Sequence, residues 1–137
     1  MNIELLKNQH TSIRQLVNEI EQWINSKDVT GNAFDLSLKI SKLSGILGLH
    51  LKAEDEYLYP NLGRSNSDHI RKTAEQLNKE MGSLSTDFMN YKRTYMLASN
   101  IKAEPQKFIS ESKKIISAMK NRLTTEDQKL YPLVQIK

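Results

Sequence analysis

The stretch His50-Leu51-Lys52-Ala53-Glu54-Asp55-Glu56-Tyr57-Leu58-Tyr59-Pro60 carries an imidazole and a carboxylate four residues apart. On a helix that spacing puts both groups on one face. Leu36, Ile40, Leu43 and Leu47 continue the face upstream and Leu58 continues it downstream, so His50 and Glu54 lie on an apolar stripe. An ionised carboxylate on a buried face is costly unless it is paired or bound to a cation. The chemistry to look for is therefore metal ligation or ion pairing, with partners supplied from elsewhere in the chain.

The elements that must position these groups read as helical throughout. Only five glycines and three prolines are present, and alternating β-branched runs are few. A first helix carries Leu6, His10, Ile13, Leu16, Val17, Ile20, Trp23 and Ile24 at helical spacing. Asp28 and Gly31 mark the connection to a second helix, which Pro60 should end at Tyr59. Ser67 or Asp68 is positioned to cap a third helix, whose stripe runs His69, Thr73, Leu77, Met81, Leu84, Phe88, Tyr91 and Tyr95. Pro105 suits the first turn of a fourth, with Phe108, Ser112, Ile115, Met119, Arg122, Glu126 and Leu130 inward and Tyr131-Pro132 as its stop. Four helices at about 3–26, 33–59, 68–98 and 104–130 predict one all-α domain over residues 1–137, an antiparallel up-down-up-down four-helix bundle.

The ends of the second and fourth helices repeat one another. Leu51, Glu54, Asp55, Leu58, Tyr59 and Pro60 recur as Leu123, Glu126, Asp127, Leu130, Tyr131 and Pro132, with His50 set against Arg122. Helices one and three match far more weakly, so a duplicated helical hairpin is one reading of the repeat rather than a requirement. In a bundle, His10, His50, Glu54, His69 and Glu126 can all reach one level of the core. Imidazole nitrogens with carboxylate oxygens suit iron, manganese or zinc, and bundle cores are a place where such sites are built.

With these residues in order, the chain resembles the hemerythrin-like (HHE cation-binding) family over essentially its full length. That resemblance implies a four-helix bundle with a non-haem di-iron centre. It implies a histidine on helix one, His-x-x-x-Glu ending helix two, one or two histidines opening helix three, and a histidine followed by an acid ending helix four. Carried over, His10 and His50 would bind one metal, Glu54 and Glu126 would bridge, and His69 would serve the other. Two positions depart from the pattern: Arg122 stands where a histidine is expected, and Thr73 where some members have a second helix-three histidine. A guanidinium has no lone pair for a metal and is always charged. It is instead a good partner for Glu54 or Glu126.

Composition narrows the functions further. No cysteine is present, which excludes disulfides and thiolate metal sites. The net charge of +4, from 20 basic and 16 acidic residues, is spread along the chain, and Lys113, Lys114, Lys120 and Arg122 are the nearest approach to a patch. No nucleic-acid partner is expected. Neither a membrane-spanning run nor a signal segment is evident, and a cytoplasmic location is expected. Asp55, Glu56 and Asp127 are expected to be solvated, and the tyrosines and methionines to pack.

Three functions follow. The first is a binding or sensing module that holds iron (one or two ions) or another divalent metal and, by resemblance, meets dioxygen, nitric oxide or peroxide. With a degenerate site, it should hold at most one metal well. The second is a metal-free structural or interaction bundle in which Arg122 pairs with Glu54 and Glu126. An enzyme ranks third, because no separate general base or substrate pocket is evident; a protein partner is not identifiable from the sequence.

Overall fold

The computed structural model describes residues 3–26 and 28–136, all of them in helices and connections, with no strand among them. The helices are α1 (Ile3–Ser26), α2 (Ala33–Ala53), α3 (Tyr59–Gly63), α4 (Asp68–Met81), α5 (Leu84–Tyr95), α6 (Ala98–Ala103), α7 (Pro105–Thr125) and α8 (Tyr131–Ile136). No helix among the described residues is long and apolar enough to cross a membrane.

Apolar spacing explains the long helices. α1 buries Leu6, Ile13, Leu16, Val17, Ile20 and Ile24, with His10 on the same stripe. α2 buries Leu36, Ile40, Leu43 and Leu47 ahead of His50, and α7 buries Phe108, Ile115, Ile116 and Met119 ahead of Arg122. α1 packs on α2 and α7, α2 on α5 and α6, and α5 on α7. Paired residues run in opposite order along each neighbour. His10 meets His50 while Glu19 meets Lys39, Arg14 meets Asp127 while Glu21 meets Lys120, and Tyr91 meets Ser112 while Tyr95 meets Glu111.

The expected helix ends at Pro60 and Pro132 are not ends. Wider, π-type turns at Glu54–Leu58 and Glu126–Leu130 join α2 to α3 and α7 to α8, with the Tyr59 amide donating to the Glu54 carbonyl and the Tyr131 amide to that of Glu126. In a regular helix a proline ring meets the carbonyl four residues back and lacks a donor. A wider turn just ahead of the ring relieves that contact, so each helix continues through its proline. The third helix, by contrast, is divided. α4 stops at Met81 and Gly82 follows it, where a Cβ would lie 2.5 Å from the Asn78 carbonyl oxygen. A side chain at position 82 would force this close approach apart.

The core is in two parts. One apolar cluster takes Ile13 to Ile24 of α1, α2 as far as Leu51, and the buried residues of α5, α6 and α7 as far as Leu123. The other takes Leu6, Leu58, Tyr59, Leu62, the α4 residues Ile70, Ala74, Leu77 and Met81, and Leu130, Tyr131 and Leu133. Between them lie His10, His50, Glu54, Arg122 and Glu126, each no more than 1 % exposed. Leu47 and Leu49 test the assignment of faces, being fully buried and 68 % exposed respectively. Leu47→Ala is expected to cost about 2–5 kcal/mol in urea unfolding, and Leu49→Ala to stay within about 0.5 kcal/mol.

Candidate metal centre

Each polar side chain of the central layer is delivered by a helix whose neighbouring turns are anchored in apolar packing. His10 Nε2 lies 3.0 Å from His50 Nε2 and 3.1 Å from Glu126 Oε1, and His50 Nε2 lies 3.2 Å from Glu54 Oε1. One donor atom from each of these four residues falls within 4.8 Å of the others. The outward ring nitrogens are held as well. His10 Nδ1 donates to Asp127 Oδ1 at 2.9 Å, and Arg14 holds the other oxygen of Asp127 at 2.6 Å. His50 Nδ1 donates to Gln9 Oε1 at 2.8 Å. A histidine fixed in this way presents Nε2 to the centre, which is the outer arrangement that metal-binding histidines use.

Arg122 occupies the opposite side. Its Nε donates to Glu126 Oε2 at 3.1 Å, and Nη2 to Glu54 Oε1 at 3.2 Å and to Asp55 Oδ1 at 2.9 Å. Nη1 reaches the Met81 carbonyl at the end of α4, 3.4 Å away. The guanidinium lies over the Tyr59 ring at 5.5 Å. Ser85 steadies Asp55 with a 2.6 Å hydrogen bond.

The sequence repeat becomes a crossed arrangement here. Tyr59 donates to Glu126 Oε2 at 3.1 Å, and its counterpart Tyr131 donates to Glu54 Oε2 at 2.6 Å. Arg122 stands at the repeat position of His50, and the buried rows of α4 and α5 carry no imidazole. The two sides of the layer are thus unequal. One has two imidazoles facing two carboxylates, and the other has a guanidinium facing the same carboxylates.

Electrostatics follow from burial and these contacts. Burial opposes a charge on His50, but its hydrogen bonds with Glu126 and Glu54 outweigh this and raise its pKa to about 9. Burial pushes Glu54 above the ordinary carboxylate range. Burial also opposes ionisation of Glu126, yet hydrogen bonds with His10, His50 and Glu54, together with the Arg122 charge, hold it below that range. Tyr131 is raised by burial and by the charges of Glu54 and Glu126. A cation bound on the imidazole side must displace the proton carried by His50.

Of the residues singled out in the sequence, His10, His50, Glu54 and Glu126 are brought together, and Arg122 joins the two glutamates. His69 is not with them. It is exposed in the first turn of α4, capped by Ser67, whose hydroxyl accepts from the Ile70 amide at 3.3 Å. The inward row of α4 is Ile70, Ala74, Leu77 and Met81, one residue out of phase with His69 and Thr73; Thr73 is half-buried. Asp55 and Asp127 were expected to be solvated, but one pairs with Arg122 and the other orients His10. Each directly follows an inward glutamate at the start of a wide turn, where 3.6-residue periodicity fails. Tyr131 also reaches the layer, and its place opposite Tyr59 in the repeat was the available signal.

The hemerythrin HHE cation binding domain model matches residues 1–134. The chain belongs to that family. No curated protein and no solved structure matches it. As a hemerythrin HHE domain, it holds a buried histidine and glutamate group with an incomplete ligand set. Two imidazole nitrogens and two carboxylate oxygens fit one divalent transition-metal ion. The Arg122 side does not fit a second one.

Removing the arginine should expose the cost of the buried charges. Arg122→Met is expected to destabilise the metal-free protein by about 3–5 kcal/mol in urea unfolding, because Glu54 and Glu126 lose their guanidinium. His69→Ala, on the exposed face, should change stability by no more than about 0.5 kcal/mol and leave metal content unaltered.

Proposed function

We propose that this chain is a one-metal hemerythrin-like protein in which His10, His50, Glu54 and Glu126 hold iron or another divalent ion. Arg122 takes the place of a second ion. The observation that carries this reading is the pair of inward-facing Nε2 atoms, each fixed from behind by Asp127 or Gln9, opposite two carboxylates. The contacts running in opposite order between neighbouring helices support an antiparallel up-down-up-down four-helix bundle around that site.

The protein's own groups do the positioning. Asp127 and Gln9 orient the imidazoles, Arg122 neutralises carboxylate charge, and the apolar clusters above and below exclude water. Iron held by these four residues would supply redox chemistry and a position for a diatomic ligand such as dioxygen or nitric oxide, or for peroxide. Two-electron dioxygen carriage draws on two irons, so binding or sensing at one ion is the better reading.

A metal-free interaction bundle is the second reading. It is favoured by one observation: among the described residues no buried side-chain nitrogen or oxygen lacks a hydrogen-bond partner. The layer is satisfied by its own ion pairs.

Metal content per chain, measured by plasma mass spectrometry on protein grown with added iron, separates the two. About one ion is expected under the one-metal reading; a well-folded protein with none would overturn it. The bound ion should raise the melting temperature, adding about 2.7 kcal/mol at a hundredfold excess over Kd, and chelator should reverse this. Asp127→Asn is expected to weaken metal binding about 10–100-fold. Arg122→His should raise the metal content towards two, because an imidazole replaces the guanidinium between the same two glutamates.

A further inference from the structure

Beyond the four donors, a fifth polar atom, the Tyr131 hydroxyl oxygen, faces the same point. The Tyr131 hydroxyl lies 2.8 Å from His10 Nε2 and 2.6 Å from Glu54 Oε2, and the residue is fully buried. His10 Nδ1 is taken up by Asp127, so the Nε2 edge of the ring faces the centre, and the Tyr131 hydroxyl sits beside that edge. Donor atoms on one ion with bonds of about 2.1 Å stand about 3 Å apart along the edges of an octahedron. The separations of His10 from His50 and Glu126, and of His50 from Glu54, are 3.0, 3.1 and 3.2 Å, and Tyr131 extends the same set.

Tyr59, the repeat counterpart, is placed differently. Its hydroxyl meets Glu126 Oε2 on the Arg122 side, and its ring faces the guanidinium. The likeness of the two tyrosines in sequence therefore hides a difference in what each can reach.

We propose that the phenol oxygen of Tyr131 is a further donor to the ion held by His10, His50, Glu54 and Glu126, so that the ferric protein is an iron–phenolate centre. This rests on the one-metal reading. On coordination the phenolic O–H bond breaks, its electron pair is shared with the ion and the proton leaves to solvent. A phenolate is a hard anionic oxygen ligand, suited to iron in its higher oxidation state.

The test uses the full chain loaded with iron(III) from ferric citrate and, separately, with Zn²⁺. The expected result is about one iron per chain, a visible phenolate-to-iron charge-transfer band, and resonance Raman ring modes that shift in protein grown on ring-deuterated tyrosine. Tyr131→Phe should lose the band and the modes while still binding Zn²⁺ in calorimetry. Iron bound without the band overturns the proposal, as does a band that survives Tyr131→Phe. Should Tyr131→Phe fail to fold, Tyr59→Phe decides: a band kept there supports Tyr131, and a band lost there with iron still bound overturns it. Failure of the wild type to bind either ion overturns the one-metal reading, and the Tyr131 donor with it.

Discussion

Two carboxylates with no solvent contact, Glu54 and Glu126, impose the constraint to which the rest of this protein answers. Neither can be ionised at the middle of an apolar bundle without cations and hydrogen-bond donors close by. The chain provides these from both sides: His50 and His10 on one, Arg122 on the other, with a tyrosine hydroxyl on each glutamate. The supporting groups follow in turn. Asp127 is needed because His10 must be held, Arg14 steadies Asp127, and Ser85 steadies the Asp55 that shares Arg122. A buried ion pair contributes little net stability over a well-packed apolar alternative. Its presence at the centre of the core fits the metal-holding role proposed for this layer.

The arginine changes what kind of protein this is. A metal site with vacant ligands and no compensating cation would leave its carboxylates repelling one another whenever metal was scarce. Here one half of the layer carries a permanent positive charge that no change in metal supply removes. The fold thereby keeps its glutamates in place, and under the one-metal reading the imidazole side is the part that would respond to an ion. The crossed tyrosines show the same inequality. Two residues equivalent in the repeat serve different neighbours, because one half faces histidines and the other a guanidinium.

Much of this was legible in the sequence, for a definite reason. His10, His50, Glu54, Arg122 and Glu126 each sit on a strong apolar stripe within a long helix, and a polar residue on such a stripe has nowhere to go but inward. His69 sits in the first turn of α4, where no stripe precedes it, and an error of one residue rotates a side chain by about 100°. Ile70 holds the inward position there. Pro60 and Pro132 read as stops because a regular helix cannot carry them, and the wider turns that admit them have no signature in hydrophobic spacing. Those turns also placed Asp55 and Asp127 out of reach of periodic reasoning. The break at Gly82 was invisible to periodicity, since the apolar rows of α4 and α5 run on in phase across it.

The division of the core into two apolar clusters bears on how anything reaches its centre. Each of the four candidate donors is no more than 1 % exposed, and each is covered by packed side chains from helices on every side. An ion held there, as proposed, would have to reach these buried donors by a separation of neighbouring helices. The smaller cluster, built from α3, α4, α8 and the start of α1, lies on one side of the charged layer and the larger cluster on the other. The seam between them is where the apolar packing is already interrupted. Uptake and release of the proposed ion would then depend on how often that seam parts, which is a property of the fold more than of the ligands.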